Sequence, residues 1–118
     1  MIDSILTSIK KLLGMTEDYT AFDSDIIMHV NTVFLSLSQM GVGPIEGFRI
    51  EDDSTEWDEF IDCEQYPEKK ALLSAVKTYI YLKVKMVFDP PINATVIEAT
   101  NRQITELEWR LNAEAETK

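Results

Sequence analysis

Few side chains in this chain could do covalent chemistry, and their surroundings argue against it. A serine or cysteine nucleophile needs a positioned base, and His29 is the only histidine. His29 stands four residues after Asp25 on a helical pattern, so it reads as a surface histidine beside a carboxylate. Cys63 is the only cysteine and lies between Asp62 and Glu64. Neighbouring negative charge disfavours the thiolate, which makes it a small, partly buried thiol. A single cysteine also excludes an intrachain disulfide or a thiolate metal cluster. The acids Glu51, Asp52, Asp53, Glu56, Asp58 and Glu59 could attract a divalent cation. They lack the alternating ligands, central glycine and terminal glutamate of a helix–loop–helix calcium site. Gly-Val-Gly-Pro (41–44) has neither the spacing nor the lysine of a phosphate loop. No catalytic, cofactor or metal residue is assigned, and the chain reads as a non-enzyme.

The acids point instead to a surface. The chain of 118 residues carries a formal charge of -10, with 45% hydrophobic and 27% charged residues. That composition is folded and single-domain in scale, spanning residues 1–118. Much of the charge lies between Glu46 and Glu68, where Arg49 is the only cation N-terminal to the lysines at 69 and 70. Such a surface repels phosphate and disfavours tight wrapping of nucleic acid. It serves either as a solvated, solubilising face or as a face that meets a basic partner or repels DNA. The N-terminal apolar residues are interrupted by Asp3, Ser4, Thr7 and Ser8, unlike a signal peptide. No apolar run approaches the ~20 residues of a membrane span.

Helices must position these groups. Ile2, Ile5, Leu6, Ile9, Leu12 and Leu13 repeat at helical spacing, with Lys10 and Lys11 in the last turn and Gly14 as the stop. A second helix runs from Asp23 or Ser24 to Met40, with Ile26, Ile27, Val30, Val33, Phe34 and Leu37 as its stripe. Asp23 is its expected N-cap, with Phe22 and Ile27 as a hydrophobic staple, and Gly41 ends it. Between Ile45 and Asp53, Phe48 and Ile50 alternate with charged residues, giving an extended acidic connection that forms either an arm or a short strand or hairpin. Thr55 is the expected cap of a short helix whose apolar side is Trp57, Phe60 and Ile61. A helix from Pro67 to Phe88 follows. The Asp-Pro-Pro at 89–91 stops it. The last helix starts at Asn93, with an Ile92–Ile97 staple, or at Thr95, with a Glu98 capping box. Ile97, Thr100, Ile104, Leu107 and Leu111 face inward, and residues 113–118 form a polar tail expected to fray. The fold class is mainly all-α: a bundle of four main helices plus one short helix.

The 67–88 helix is apolar around more than half its circumference. Leu72, Val76, Ile80 and Val87 share one face, and Ala75, Tyr79, Leu82 and Met86 an adjoining one. Either the chain wraps this helix itself, or one face is reserved for another subunit. Lys70, Ser74, Lys77, Tyr81 and Lys85 fill the remaining side. Trp57 is expected in local core. Trp109, beside Arg110 and off the inward stripe, is expected to be a contact anchor, because tryptophan gives large contact area for little lost entropy. Tyr79, Tyr81, Lys77, Lys85, Trp109 and Arg110 are the candidate subunit or partner contacts. Glu51, Asp52, Asp53, Glu56, Asp58 and Glu59 are the candidate channel or docking surface.

The strings Asp-Ile-Ile-Met-His-Val-Asn (25–31), Met-Gly-Val-Gly-Pro (40–44) and Gly-Phe-Arg-Ile (47–50) occur in that order. They are followed by Trp57 with Phe60, Val-Lys-Thr-Tyr-Ile-Tyr-Leu-Lys-Val (76–84), Phe-Asp-Pro-Pro (88–91) and Glu-Leu-Glu-Trp-Arg-Leu (106–111). The ordered set resembles the head–tail connector family of tailed bacteriophages of Gram-positive hosts, over nearly the whole chain. The resemblance implies a structural virion protein made in the host cytoplasm, a small helical bundle assembling with itself as a ring of about twelve subunits. Its implied partners are the portal protein and a head-closure (stopper) or tail protein. DNA would pass through without sequence-specific binding, and no membrane is involved. A monomeric acidic module or DNA mimic that inhibits a nucleic-acid-binding protein is the alternative.

Overall fold

The computed structural model describes residues 4–116. Four helices carry the fold: α1 (Ile5–Leu12), α2 (Asp23–Met40), α3 (Lys70–Phe88) and α4 (Ala94–Glu116). Two short 3-10 turns, Trp57–Glu59 and Pro67–Lys69, interrupt the α2–α3 connection, and no strand forms among the described residues. The protein is therefore mainly all-α. The strand or hairpin open to residues 45–53 does not form; the only β-type pairing among the described residues is an isolated antiparallel bridge between Ser4 and Glu56. The molecule measures 39 × 33 × 23 Å. Its short dimension fits about two layers of helices, each ~10 Å across.

α1 begins where Ser4 Oγ accepts the Thr7 amide at 3.1 Å. The start expected at Ile2 lies outside the described residues. At its other end, the amides of Gly14 and Met15 return to the carbonyls of Lys11 and Lys10 at 3.1 and 2.9 Å, closing the helix as expected. Lys10 departs from expectation. It is 2% exposed, and its ammonium donates to the Glu17 carbonyl at 3.0 Å. It also lies 2.9 Å from Asp23 Oδ1, a buried oxygen with no other hydrogen-bond partner among the described residues. Asp23 is thus not the N-cap of α2; Phe22 holds that position without a side-chain cap. An ammonium buried at the end of α1 needs a carboxylate more than the helix start needs a cap.

α2 ends at Gly41, whose φ of 88° lets the Gly41 and Val42 amides reach the Ser38 and Leu37 carbonyls. Two residues later the chain passes so close to Phe60 that a Cβ on Gly43 would lie 2.4 Å from the ring. Only glycine fits there. Phe60 meets the Phe34 ring tilted and the Phe48 ring edge-on at separations of 5.0 and 5.2 Å, so this tight passage anchors the α2–α3 connection to the core.

The connection is extended but not unsupported. The Asn31 side-chain amide, from the middle of α2, accepts the Ile50 N–H and donates to the Ile50 carbonyl, both at 2.8 Å. A single side chain thereby satisfies both backbone groups that a neighbouring strand would otherwise pair. Further on, Glu56 rather than Thr55 precedes the turn at Trp57. Its N–H donates to the Glu59 carboxylate at 2.8 Å, while the Thr55 carbonyl is taken by the Ile5 amide at 2.9 Å.

α3 is the central helix, packed against α1, α2 and α4. Val76, Tyr79, Ile80, Leu82 and Val84 are all buried, which covers both apolar faces read from the sequence. The chain wraps this helix itself. The reservation of one α3 face for another subunit is corrected accordingly, and among the large apolar side chains of the two faces only Val87 stands exposed. Of the two starts open to α4, the Asn93 cap forms, with Asn93 Oδ1 accepting from Thr95 and Val96 at 2.8 and 3.3 Å. Its expected Ile92–Ile97 staple does not, because Ile92 is fully exposed. α4 continues past the expected end at Asn112 to Glu116, held where Ala115 packs on the core beside Gly41. Thr117 and Lys118, part of the tail expected to fray, lie outside the described residues.

Candidate interaction surfaces

The two tryptophans differ in burial, Trp57 lying in local core as expected and Trp109 exposed. Trp57 is 3% exposed although acids flank it. Its Nε1–H donates to Ser8 Oγ at 2.8 Å, and Lys77 Nζ lies 5.3 Å from its ring. Trp57 therefore pins the acidic connection to α1 and α3. Trp109 is 70% exposed on the outer side of α4. Beside it, Arg110 pairs with Glu106 at 2.7 Å, and two turns earlier Arg102 lies 3.7 Å from Glu98. Both pairs are solvent-exposed and contribute little to stability.

Other candidate contacts move inward. Tyr79 is fully buried and donates its hydroxyl to Glu108 Oε2 at 2.8 Å, which corrects its reading as a surface anchor. Burial, then the adjacent Glu108 carboxylate, hold the Tyr79 hydroxyl well above its ordinary titration range. Tyr81 is half-buried and packs on the core. Lys77 is engaged with Trp57, and Lys85 lies 3.6 Å from Asp89, so both have partners within the chain.

The acidic segment is exposed but internally organised. Glu51, Asp52, Asp53, Glu56, Asp58 and Glu59 all face solvent. Asp52 accepts from the amide and hydroxyl of Ser54, and these bonds, the hydroxyl's first, hold its carboxyl below the usual carboxylate range. Asp62 accepts from the Glu64 and Gln65 amides at 3.1 and 3.2 Å. Part of the acid content thus shapes the loop, while Glu51, Asp53 and Asp58 make no hydrogen bond or ion pair among the described residues. Among the described residues no group of three His, Cys, Asp or Glu side chains is placed to hold a metal ion.

Two surfaces escaped the sequence reading. A groove of about 620 Å³ runs along the outer side of α2, lined by Ile27, Met28, Asn31, Leu35 and Phe48, with Glu46 and Arg49 on its rim. Met28 and Leu35 are more than half exposed. They stand seven residues apart, off the inward stripe, so a second apolar line on α2 was legible and overlooked. The other surface is a set of apolar side chains where α1 ends and α3 passes into α4. Leu12, Tyr19, Phe22, Val87 and Ile92 are exposed there, with Phe22 edge-on to Phe88 at 5.3 Å. No helix among the described residues is long and apolar enough to cross a membrane.

No curated protein and no solved structure matches the chain. The family model described as phage connector protein matches residues 5–118, from the first residue of α1 through the end of α4. A match of that extent spans the core, the acidic connection and both exposed faces together, and the chain belongs to the phage connector protein family.

Proposed function

We propose that this chain is the subunit of a ring adaptor that joins the portal to head-closure or tail components and encircles the path of packaged DNA. Family membership supports a structural role in the virion. The observation that carries the ring reading is the distribution of exposed apolar groups. Met28 and Leu35 stand on α2, and Trp109 stands on α4, the two helices that flank α3. A subunit that meets its neighbours head-to-tail needs two unlike faces, and a rotation that closes gives a ring. The apolar end formed by Tyr19, Phe22, Val87 and Ile92 suits a third, axial contact with portal or closure protein.

The acidic connection suits the channel or the adjoining ring, because exposed carboxylates repel phosphate and let a duplex slide. Its test is the triple variant Glu51→Gln, Asp52→Asn, Asp53→Asn in assembled phage. The asparagine keeps an acceptor for Ser54, so the loop keeps its shape. DNA retention or tail attachment should fall; particles that hold DNA and bind tails normally would remove the acids from this role. The ring itself is checked by electron microscopy of the purified chain, alone at high concentration and with portal protein. The reading as a monomeric DNA mimic uses the same acids but leaves the exposed Met28, Leu35 and Trp109 without a purpose.

A further inference from the structure

We propose that the buried ammonium of Lys10 is a latch: it holds the α1–α2 loop in one position and so sets where Tyr19 stands beside Phe22. Lys10 is a positioning residue in this role, and the latch is a property of the isolated chain, apart from the ring reading.

The loop has little else to hold it. Gly14 and Met15 are tied back to α1, and the Asp23 amide reaches the Thr20 carbonyl where α2 starts. Between these points Thr16, Glu17, Asp18 and Tyr19 are all exposed. The Tyr19 amide donates to the Thr16 carbonyl at 3.2 Å, a bond inside the stretch. Among the described residues, the one hydrogen bond joining residues 16–19 to another element runs from Lys10 Nζ to the Glu17 carbonyl, at 3.0 Å. Tyr19 then meets Phe22 edge-on at 5.8 Å, and Phe22 meets Phe88.

Energetics favour placement over stabilisation. An ammonium only 2% exposed has given up most of its hydration, and attraction to a partner repays that only where the geometry is good. An apolar pair of similar volume commonly holds two elements together as firmly. Such a pair does not select a backbone carbonyl. The ammonium does, because its donors are satisfied where the Glu17 carbonyl and Asp23 Oδ1 converge, 3.0 and 2.9 Å from one nitrogen. Each displacement of Glu17 costs a buried cation one of its partners, so the loop has one favoured place.

The test uses the full chain. Lys10→Met with Asp23→Leu removes both charges at similar volume and should melt no lower than the parent. Backbone amide order parameters at residues 16–19 should fall from about 0.85 to below about 0.6, with α3 unchanged. Rescue isolates the charge. With Cys63→Ser, Lys10→Cys is alkylated while unfolded to its S-aminoethyl or S-propyl form and refolded. The two adducts match in length and differ in a terminal ammonium against a methyl. The aminoethyl form alone should return the loop to rigidity. A double variant whose loop stays rigid would overturn the latch and assign the loop to the Tyr19–Phe22–Phe88 ring contacts. One that fails to fold, or loosens throughout, would overturn it too, since the charge would then hold the core instead of placing the loop. Equal behaviour of the two adducts would do the same.

The consequence for function rests on the axial contact proposed above. A loop already in place spares a partner the cost of ordering it, so portal or closure protein, whichever the parent binds, should bind the double variant about tenfold more weakly. Undiminished binding to a loosened loop would leave the latch standing and remove Tyr19 from that contact. A parent that binds neither would overturn the axial contact alone.

Discussion

Trp57 and Trp109 carry the same side chain with opposite assignments. Trp57 lies among acids, in a connection with almost no regular structure, yet its indole is sealed between α1 and α3 and hydrogen-bonded to Ser8. Trp109 lies on the longest helix, one residue from the partly buried Tyr79–Glu108 hydrogen bond, yet its indole projects into solvent. The difference teaches that burial here follows the direction of the Cα–Cβ bond relative to α3. The regularity of the local backbone and the polarity of neighbouring residues do not decide it. It also separates two situations: one indole holds the acidic connection against the fold, and the other is left in solvent.

Substitution should expose that separation. Trp57→Ala empties a core site and frees the connection, and should lower unfolding free energy by about 3–5 kcal/mol in denaturant titrations. A loss below ~1 kcal/mol would show that the connection is held by Phe60 and Asn31 instead. Tyr79→Phe sharpens the comparison from the α4 side, because Glu108, the neighbour of Trp109, faces inward. Losing the hydroxyl strands a half-buried carboxylate and should cost about 1–2 kcal/mol. The sign of its pH dependence is fixed. The folded protein raises the Tyr79 titration above its ordinary 10.0. Its contribution is therefore complete below about pH 10 and declines as pH rises beyond that, toward the folded-state titration. Melts across pH 8–11 should show a steeper alkaline decline in the parent than in Tyr79→Phe. Trp109→Ala should change the stability of the isolated chain by no more than ~0.5 kcal/mol while reducing self-association in light scattering. A large stability loss there would mean that Trp109 is core after all.

Much of the bundle was readable from periodicity. The inward stripes of α2 and α4, the Ile5, Leu6 and Ile9 part of the α1 stripe (Leu12 turns out exposed), and the stops at Gly14 and Gly41 follow from local rules, because each depends on residues within one or two turns. The errors share a cause. Asp23 looked like a cap because the sequence does not show Lys10 folding under the end of α1. Tyr79 looked like a contact because hydrophobic period reports which faces are apolar, not whose atoms cover them. The Asn31–Ile50 clasp spans nineteen residues in sequence and has no local signature. Tyr81, Lys77 and Lys85 are half-buried because α3 lies at the centre of the molecule. Trp109 is exposed because it lies off the α4 stripe, and Met28 and Leu35 are exposed for the same reason on α2.

The clasp from Asn31 carries a consequence for how safely many copies can be crowded together. An extended arm with idle amides and carbonyls is a template on which another chain can grow, the first step toward fibrous aggregates. Here one amide side chain occupies both backbone groups at Ile50, so the arm keeps an outstretched shape without offering a seam there. A virion protein can in this way display a flat, ribbon-like segment and still leave little for a stray copy to stitch onto.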